Sequence, residues 1–385
     1  MAMKPAAAPK FVNLSVVCGA AEKRSKAGKP AGIGAFNINF YSQAVGVLKG
    51  LKKANAPAII QASKGANEFQ GGPDKIAAML KLAMQNTGHN LPICLHLDHG
   101  DEKQAQVCTD SGFSSVMIDA SKLDFEDNCR VTKSIVTYAR PKGVSVEGEY
   151  GKLEGVEEDV AHEKTTYADP SRVVEFFQKT DAEALAVAYG TAHGANKGKN
   201  IGAVKTEIVK ASYDAMKKAG QTDKHFLVGH GSSTVPQDLV KEINSYGGAL
   251  KDSAGVPMPK IKEGIAFGLR KVNIDTDLRL SITATMRKYL SSNPAMVQKY
   301  PETLGRIAKA FSGEIQMIAK GKVEDPKKVI DPRGYFGIID IAVLRVAPTP
   351  ESGLVEVMAL IENRIADHVA MLVTEFGCAG LASEM

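Results

Sequence analysis

Pro92-Ile93-Cys94-Leu95-His96-Leu97-Asp98-His99-Gly100 is a short apolar run that ends in ionisable residues and a glycine. A stretch with helical spacing, Glu102–Ser111, follows it directly. The same unit recurs along the chain. Strands are expected at Ile33–Asn39, Pro57–Ser63, Pro92–Asp98, Ser114–Asp119, Val144–Glu149, Ala184–Tyr189, Phe226–His230 and Arg270–Asp275. Between them lie helical candidates at Ser42–Asn55, Lys75–Gln85, Asp124–Ala139, Ser171–Lys179, Ala203–Lys218 and Pro236–Ser245. Strand–helix alternation implies a parallel sheet, because a parallel partner needs a crossover long enough to hold a helix. Eight such units favour a closed (β/α)₈ TIM barrel over an open doubly wound sheet. No G-x-G-x-x-G follows the first strand, so a dinucleotide-binding sheet has no support.

The barrel is expected to occupy residues 1–290 as the catalytic domain. Residues 291–385, with helical sequence at Pro301–Ala319 and Gly353–Thr374, read as a helical C-terminal extension packed on the barrel or on a partner subunit. The acidic stretch Tyr150–Thr166 is long for a strand-to-helix connection, and such loops are commonly functional.

Composition narrows the function. The 385 residues are 44% hydrophobic and 24% charged, as in a soluble globular chain with a sizeable core. Five scattered cysteines without a C-x-x-C pair argue for buried thiols in a reducing, cytoplasmic compartment. No run approaches the roughly 18–20 apolar residues of a membrane span. A formal charge of +5 is dispersed, and with no tryptophan for base stacking a nucleic-acid partner is not expected. The mild positive excess suits a small anionic ligand such as a sugar phosphate.

The strands end, one after another, in groups that carry chemistry: His96, Asp98 and His99; Asp119; Glu147 and Glu149; His193; His230; Asn273 and Asp275. A barrel brings all those C-terminal ends to one face, where active sites of this fold lie. His99, His193 and His230, each beside a glycine, make a three-imidazole metal site with a position left for substrate. Imidazole ligands point to Zn²⁺, with another divalent transition metal possible. Asp119 and Glu149 would hold the metal in an alternative position or orient the histidines. Asp98 would stand beside the metal as a proton carrier. His96 and Asp98 share one side of their strand, and regular alternation would send His99 to the other. Gly194, Gly231, Ser232 and Ser233 offer donors of the kind that cradle phosphate, and Lys197 adds a point charge.

With these residues in place, the chain resembles the class II fructose-bisphosphate aldolases. The resemblance is carried in order by Leu95-His96-Leu97-Asp98-His99-Gly100, Val146-Glu147-Gly148-Glu149-Tyr150-Gly151, Tyr189-Gly190-Thr191-Ala192-His193-Gly194, Gly229-His230-Gly231-Ser232-Ser233 and Asn273-Ile274-Asp275-Thr276-Asp277. It implies reversible, metal-dependent cleavage of fructose 1,6-bisphosphate to dihydroxyacetone phosphate and glyceraldehyde 3-phosphate. It also implies His99, His193 and His230 as metal ligands, with Glu149 and Asp119 at a second metal position. Asp98 would handle the C4 hydroxyl proton, and Glu157, or its neighbour Glu158, the proton of the enediolate. Gly194, Lys197, Gly231, Ser233, Asp275 and Thr276 would surround the ketose phosphate, while Asn37, Ser63 and Asn273 hold substrate oxygens. Arg333 would reach the distal phosphate, in many relatives from a neighbouring subunit. A monovalent cation (Na⁺ or K⁺) and a homodimer or homotetramer are further implications.

Two features depart from the family pattern. Asn196 stands where an aromatic is usual, and about fifty residues follow Arg333. Three alternatives remain: a tagatose 1,6-bisphosphate aldolase with the same machinery, a barrel metallohydrolase, or a non-catalytic sugar-phosphate-binding protein. The hydrolase reading lacks its usual His-x-His on the first strand.

Overall fold

The computed structural model describes residues 11–152, 155–157, 160–162, 166–192, 194, 204–319 and 322–385, the backbone alone at 155–157, 160–162, 319 and 322. Among these residues eight parallel strands close a barrel: β1 (Ile33–Asn37), β2 (Ala58–Ser63), β3 (Ile93–Gly100), β4 (Ser115–Ile118), β5 (Ser145–Tyr150), β8 (Ala184–Val187), β9 (Phe226–Gly229) and β10 (Leu269–Ile274). An antiparallel hairpin, β6 (Gly155–Glu157) and β7 (Val160–His162), stands in the long acidic connection after β5. The strands are buried almost throughout, which is why they read as apolar runs rather than as alternating ones.

Around the barrel run α2 (Tyr41–Ala54), α3 (Lys64–Gln70), α4 (Pro73–Thr87), α5 (Glu102–Asp110), α6 (Phe125–Ala139), α7 (Pro170–Thr180), α8 (Thr206–Lys218), α9 (Gln237–Ser245), α10 (Met258–Phe267) and α11 (Thr276–Ser292). Helix starts follow local chemistry. Asp101 and Gln104 form a capping box at α5, and the side chains of Asp124 and Asp169 cap α6 and α7.

The first helix, α1 (Leu14–Lys26), lacks a strand before it and was not expected from the alternation. It lies across the N-terminal end of the barrel. Val12 N–H donates to Ile93 O at the start of β3, Leu14 N–H to Ser145 Oγ at the start of β5, and Cys18 Sγ lies 3.7 Å from Arg270 O in β10. All five cysteines are buried and free. The opposite end of the barrel is left to the functional side chains.

After α11 the chain continues through α12 (Pro294–Lys299), α13 (Arg306–Ser312), the two-residue strands β11 (Ile318–Ala319) and β12 (Lys322–Val323), α14 (Pro332–Phe336) and α15 (Val355–Glu375). Helical structure was expected over Pro301–Ala319, but it stops at Ser312, where Gly313 takes the left-handed conformation of a C-cap. The long α15 packs against α2. A Cβ on Gly46 would lie 2.8 Å from Ile365 Cβ, and one on Gly50 only 2.6 Å from Ala366 O. Two glycines one turn apart therefore open the groove in which α15 lies.

Candidate active site

The interior of the barrel is polar in two layers. In the lower layer the Lys271 ammonium lies 2.8 Å from Glu147 Oε2 and 3.3 Å from His96 Nε2, all three without solvent exposure. Burial and the neighbouring ammonium push the His96 imidazole far below its ordinary value, so the ring is neutral. With Nε2 facing Lys271 as acceptor, its proton sits on Nδ1 and goes to Ser115 Oγ, 2.8 Å away. Burial alone would raise the Glu147 carboxyl, but Lys271, His96 and His230 outweigh it and hold it well below the usual range. Glu147 is therefore a carboxylate, and its other oxygen accepts from His230 Nε2 at 2.9 Å.

The upper layer holds Asp98. One oxygen accepts from Asn37 Nδ2 at 2.8 Å, the other from Asn273 Nδ2 at 3.2 Å. Gln61, opposite Asn37 in the register of β1 and β2, donates to Asn37 Oδ1 at 2.7 Å and fixes that amide. Ser63 sits opposite Asp98 and caps α3 by accepting from Ala66 N–H.

His99 joins Asp98 by breaking the strand. Its φ is +49, and the pairing of β3 with β4 slips between Leu97 and Gly100, a bulge that puts two consecutive side chains into the site. His99 Nε2 faces His230 Nδ1 across 2.9 Å. Its Nδ1 lies 3.5 Å from both Asp119 and Glu149. Both histidines thus aim one nitrogen at a common point and turn the other to a carboxylate, as histidines that hold a metal do. Asp98, His99 and His230 present ligand atoms within 4.8 Å of one another, and so do His99, Asp119 and Glu149. The donor set fits a divalent transition metal. Burial would raise the Asp119 carboxyl, yet His99 and Ser121 hold it well below the usual carboxylate range.

Beside this cluster, the segment after β9 meets the start of α11. Gly231 has φ +60, and a Cβ there would lie 2.6 Å from Ala192 O, so the turn after His230 admits only glycine. Ser233 Oγ accepts from the N–H groups of Asp275 and Thr276 at 3.2 and 3.1 Å. Ser232, named from its position among the phosphate donors, turns its hydroxyl inward to Gly229 O, His230 O and Tyr189. Only its backbone is left for an anion.

Asp275 pairs with Arg279, Arg279 with Asp331, and Asp331 with Arg333 at 2.7 Å. Arg333, read as an arm for the distal phosphate, is nearly buried within this chain of charges. Burial would raise Asp331, but the two guanidiniums hold it well below the carboxylate range. Gly194 is exposed with φ +84. His193, Lys197 and Glu158 lie outside the described residues, and of Glu157 only the backbone, in β6, is described.

Three participants carried no role in the sequence: Gln61, Lys271 and, as a bridge from Lys271 to His230, Glu147. Period-two alternation could have found them, because 61 precedes Ser63, 271 precedes Asn273 and 147 precedes Glu149 by two residues on the same face.

Comparison with known proteins fits this geometry. A family model described as fructose-bisphosphate aldolase class-II matches residues 22–336. A fructose-bisphosphate aldolase of Giardia intestinalis is 40% identical over 266 residues, covering 68% of this chain and 79% of that protein. One from Stutzerimonas stutzeri is 40% identical over 286 residues, with 69% and 79% covered. The crystal structure of the YdjI aldolase from Escherichia coli K12 superposes with a TM-score of 0.62 at 20% identity, over 97% of this chain and 99% of that one. A fructose-bisphosphate aldolase from Campylobacter jejuni superposes equally well, at 20% identity over 96% of each chain. At that identity the superpositions speak to the barrel alone. The family match and the relatives at 40% identity go further: the chain belongs to the class II fructose-bisphosphate aldolases, and is an aldolase, a lyase.

Proposed function

We propose that this chain cleaves fructose 1,6-bisphosphate reversibly to dihydroxyacetone phosphate and glyceraldehyde 3-phosphate, with His99, His193 and His230 as the ligands of Zn²⁺. The observation that carries the reading is Asp98, buried, with a carboxylate oxygen within 4.8 Å of the ligand nitrogens of His99 and His230. The metal, when bound, supplies Lewis-acid polarisation of the substrate ketone. Asp98 takes the proton of the C4 hydroxyl as the C3–C4 bond breaks, and the two amides on its oxygens keep it aimed. The electron pair left on C3 is then protonated by the loop acid, Glu157 or Glu158. Glu147 and Lys271 hold the His230 ring from below. Asp119 and Glu149 hold His99 or receive the metal in a second position.

Asn37, Ser63 and Asn273 would take substrate oxygens. Gly194, Lys197, Gly231, Ser233, Asp275 and Thr276 would receive the ketose phosphate with a monovalent cation, and Arg333 the distal phosphate. No helix among the described residues is long and apolar enough to cross a membrane; a cytoplasmic location is proposed from the family resemblance. We further propose a homodimer or homotetramer, on the strength of the family resemblance.

Lys271 is not a Schiff-base lysine in this reading, because it is buried and its ammonium is paired with Glu147. A coupled assay with the fructose and tagatose bisphosphates, before and after EDTA, tests the proposal together with metal analysis. Activity should vanish on chelation, return with Zn²⁺ and be greater on the fructose compound. Full activity in excess EDTA, or borohydride trapping of a lysine adduct, would sink the metal mechanism.

A further inference from the structure

The Ser233 turn is fastened from outside the barrel. Asp277, in the first turn of α11 and fully buried, accepts from Thr234 N–H (3.0 Å), Thr234 Oγ1 (2.7 Å) and Val235 N–H (2.8 Å). Val235 carries φ +51, a conformation that a β-branched residue adopts only under constraint. Its neighbour two residues back, Ser233, is the one that meets the N–H groups of Asp275 and Thr276. The remaining partner of Asp277 comes from far along the chain: His368 Nε2, on α15, lies 3.3 Å from Asp277 Oδ2. Burial would raise the Asp277 carboxyl, but His368 and the Thr234 and Val235 donors hold it low, so it is a carboxylate. A groove of about 780 Å³, lined by His368, Thr234, Val235, Met258 and Arg364 among others, opens beside the pair.

We propose that His368 is a positioning residue for phosphate binding: it holds the Asp277 carboxylate, and through it the strained Ser233–Val235 turn, against the N-terminus of α11. Helix α15 lies beyond residues 22–336, the region that the family model matches, and His368 brings that C-terminal segment into contact with the Asp277 carboxylate. The proposal rests on the reading of the Ser233–Thr276 turn as the ketose-phosphate cradle.

Replacing His368→Ala should raise KM for fructose 1,6-bisphosphate, and the inhibition constant of inorganic phosphate, by about tenfold, the loss of one hydrogen bond to a charged group. Metal content and kcat should hold. His368→Gln, which keeps a donor, should recover most of the affinity, and so should added imidazole, which can enter by the groove. Unchanged KM and phosphate inhibition in folded His368→Ala would overturn the proposal. So would a loss that neither glutamine nor imidazole repairs. Asp277→Asn, expected to raise KM in the same way, keeps the test decisive should His368→Ala fail to fold. If the wild-type protein cleaved neither ketose bisphosphate, the proposed function would fail. Calorimetric titration of inorganic phosphate into wild type and His368→Ala would then still read this inference, and equal affinities would overturn it.

Discussion

The two ends of the barrel both bury charge, and they treat it in opposite ways. At the N-terminal end Arg270 meets Glu22 of α1 at 2.6 Å and also donates to Ile265 O and Leu269 O, while Tyr213 donates to the other oxygen of Glu22. Both charges of that pair are spent within the fold. At the C-terminal mouth Asp98 holds two amides, two imidazole nitrogens face each other, and the buried Asn273 Oδ1 and Gln61 Oε1 have no hydrogen-bond partner among the described residues. Unspent donors and acceptors are costly to bury unless something arrives to use them. The closed end therefore contributes stability, and the open end gives up some stability in order to bind.

The largest effect that could break this contrast is at the open end. Asp98→Ala should lower kcat by about a thousandfold, the range for a lost proton carrier, with the melting temperature held or raised because a buried carboxylate has gone. Kinetics, thermal denaturation and metal analysis on one preparation check all three. Metal loss in the variant would make Asp98 a ligand.

At the closed end the pattern should invert. Glu22→Ala leaves the buried Arg270 guanidinium without its carboxylate and should cost about 3 kcal/mol in urea denaturation, with kcat of the folded enzyme intact. A stable Glu22→Ala protein with impaired catalysis would erase the distinction between the ends.

The smallest test uses pH. His89, buried in the turn between α4 and β3, has its imidazole pushed down to about 4 by burial and by Lys52. In the unfolded chain that imidazole titrates near its ordinary value. Between the two values the unfolded state takes up a proton that the folded state refuses, so stability is full above about pH 6.5 and falls as the medium is acidified toward 4. At pH 5 the loss should be roughly 2 kcal/mol. His89→Phe should remove it, and urea midpoints at pH 5 and above 7 that drop as steeply in the variant as in wild type would refute the assignment.

Much of this was legible in the residues. The strand runs predicted at 57–63, 92–98, 144–149 and 270–275 differ from the observed strands by one or two residues at their ends, because buried parallel strands are apolar and end at polar groups. Asp98, His99 and His230 could be named from strand ends alone. What the sequence hid has local causes. Helix α1 belongs to no strand–helix unit, α3 is a seven-residue turn after Ser63, and α10 follows a loop without a strand between. His99 was ambiguous because its direction depends on a single left-handed φ rather than on residue type.

Arg270 and Lys271 show the division most plainly. The sequence by itself determined that two basic residues occupy an apolar strand, and alternation determined that they point to opposite sides. Only the tertiary structure decided that one closes the barrel floor against Glu22 while the other props up the His230 ring through Glu147. Periodicity is set by neighbours in the chain and can be read from them. Partners far apart in the chain, such as Lys271 with Glu147 or Asp277 with His368, 124 and 91 residues apart, are set by how the strands close and where α15 lies.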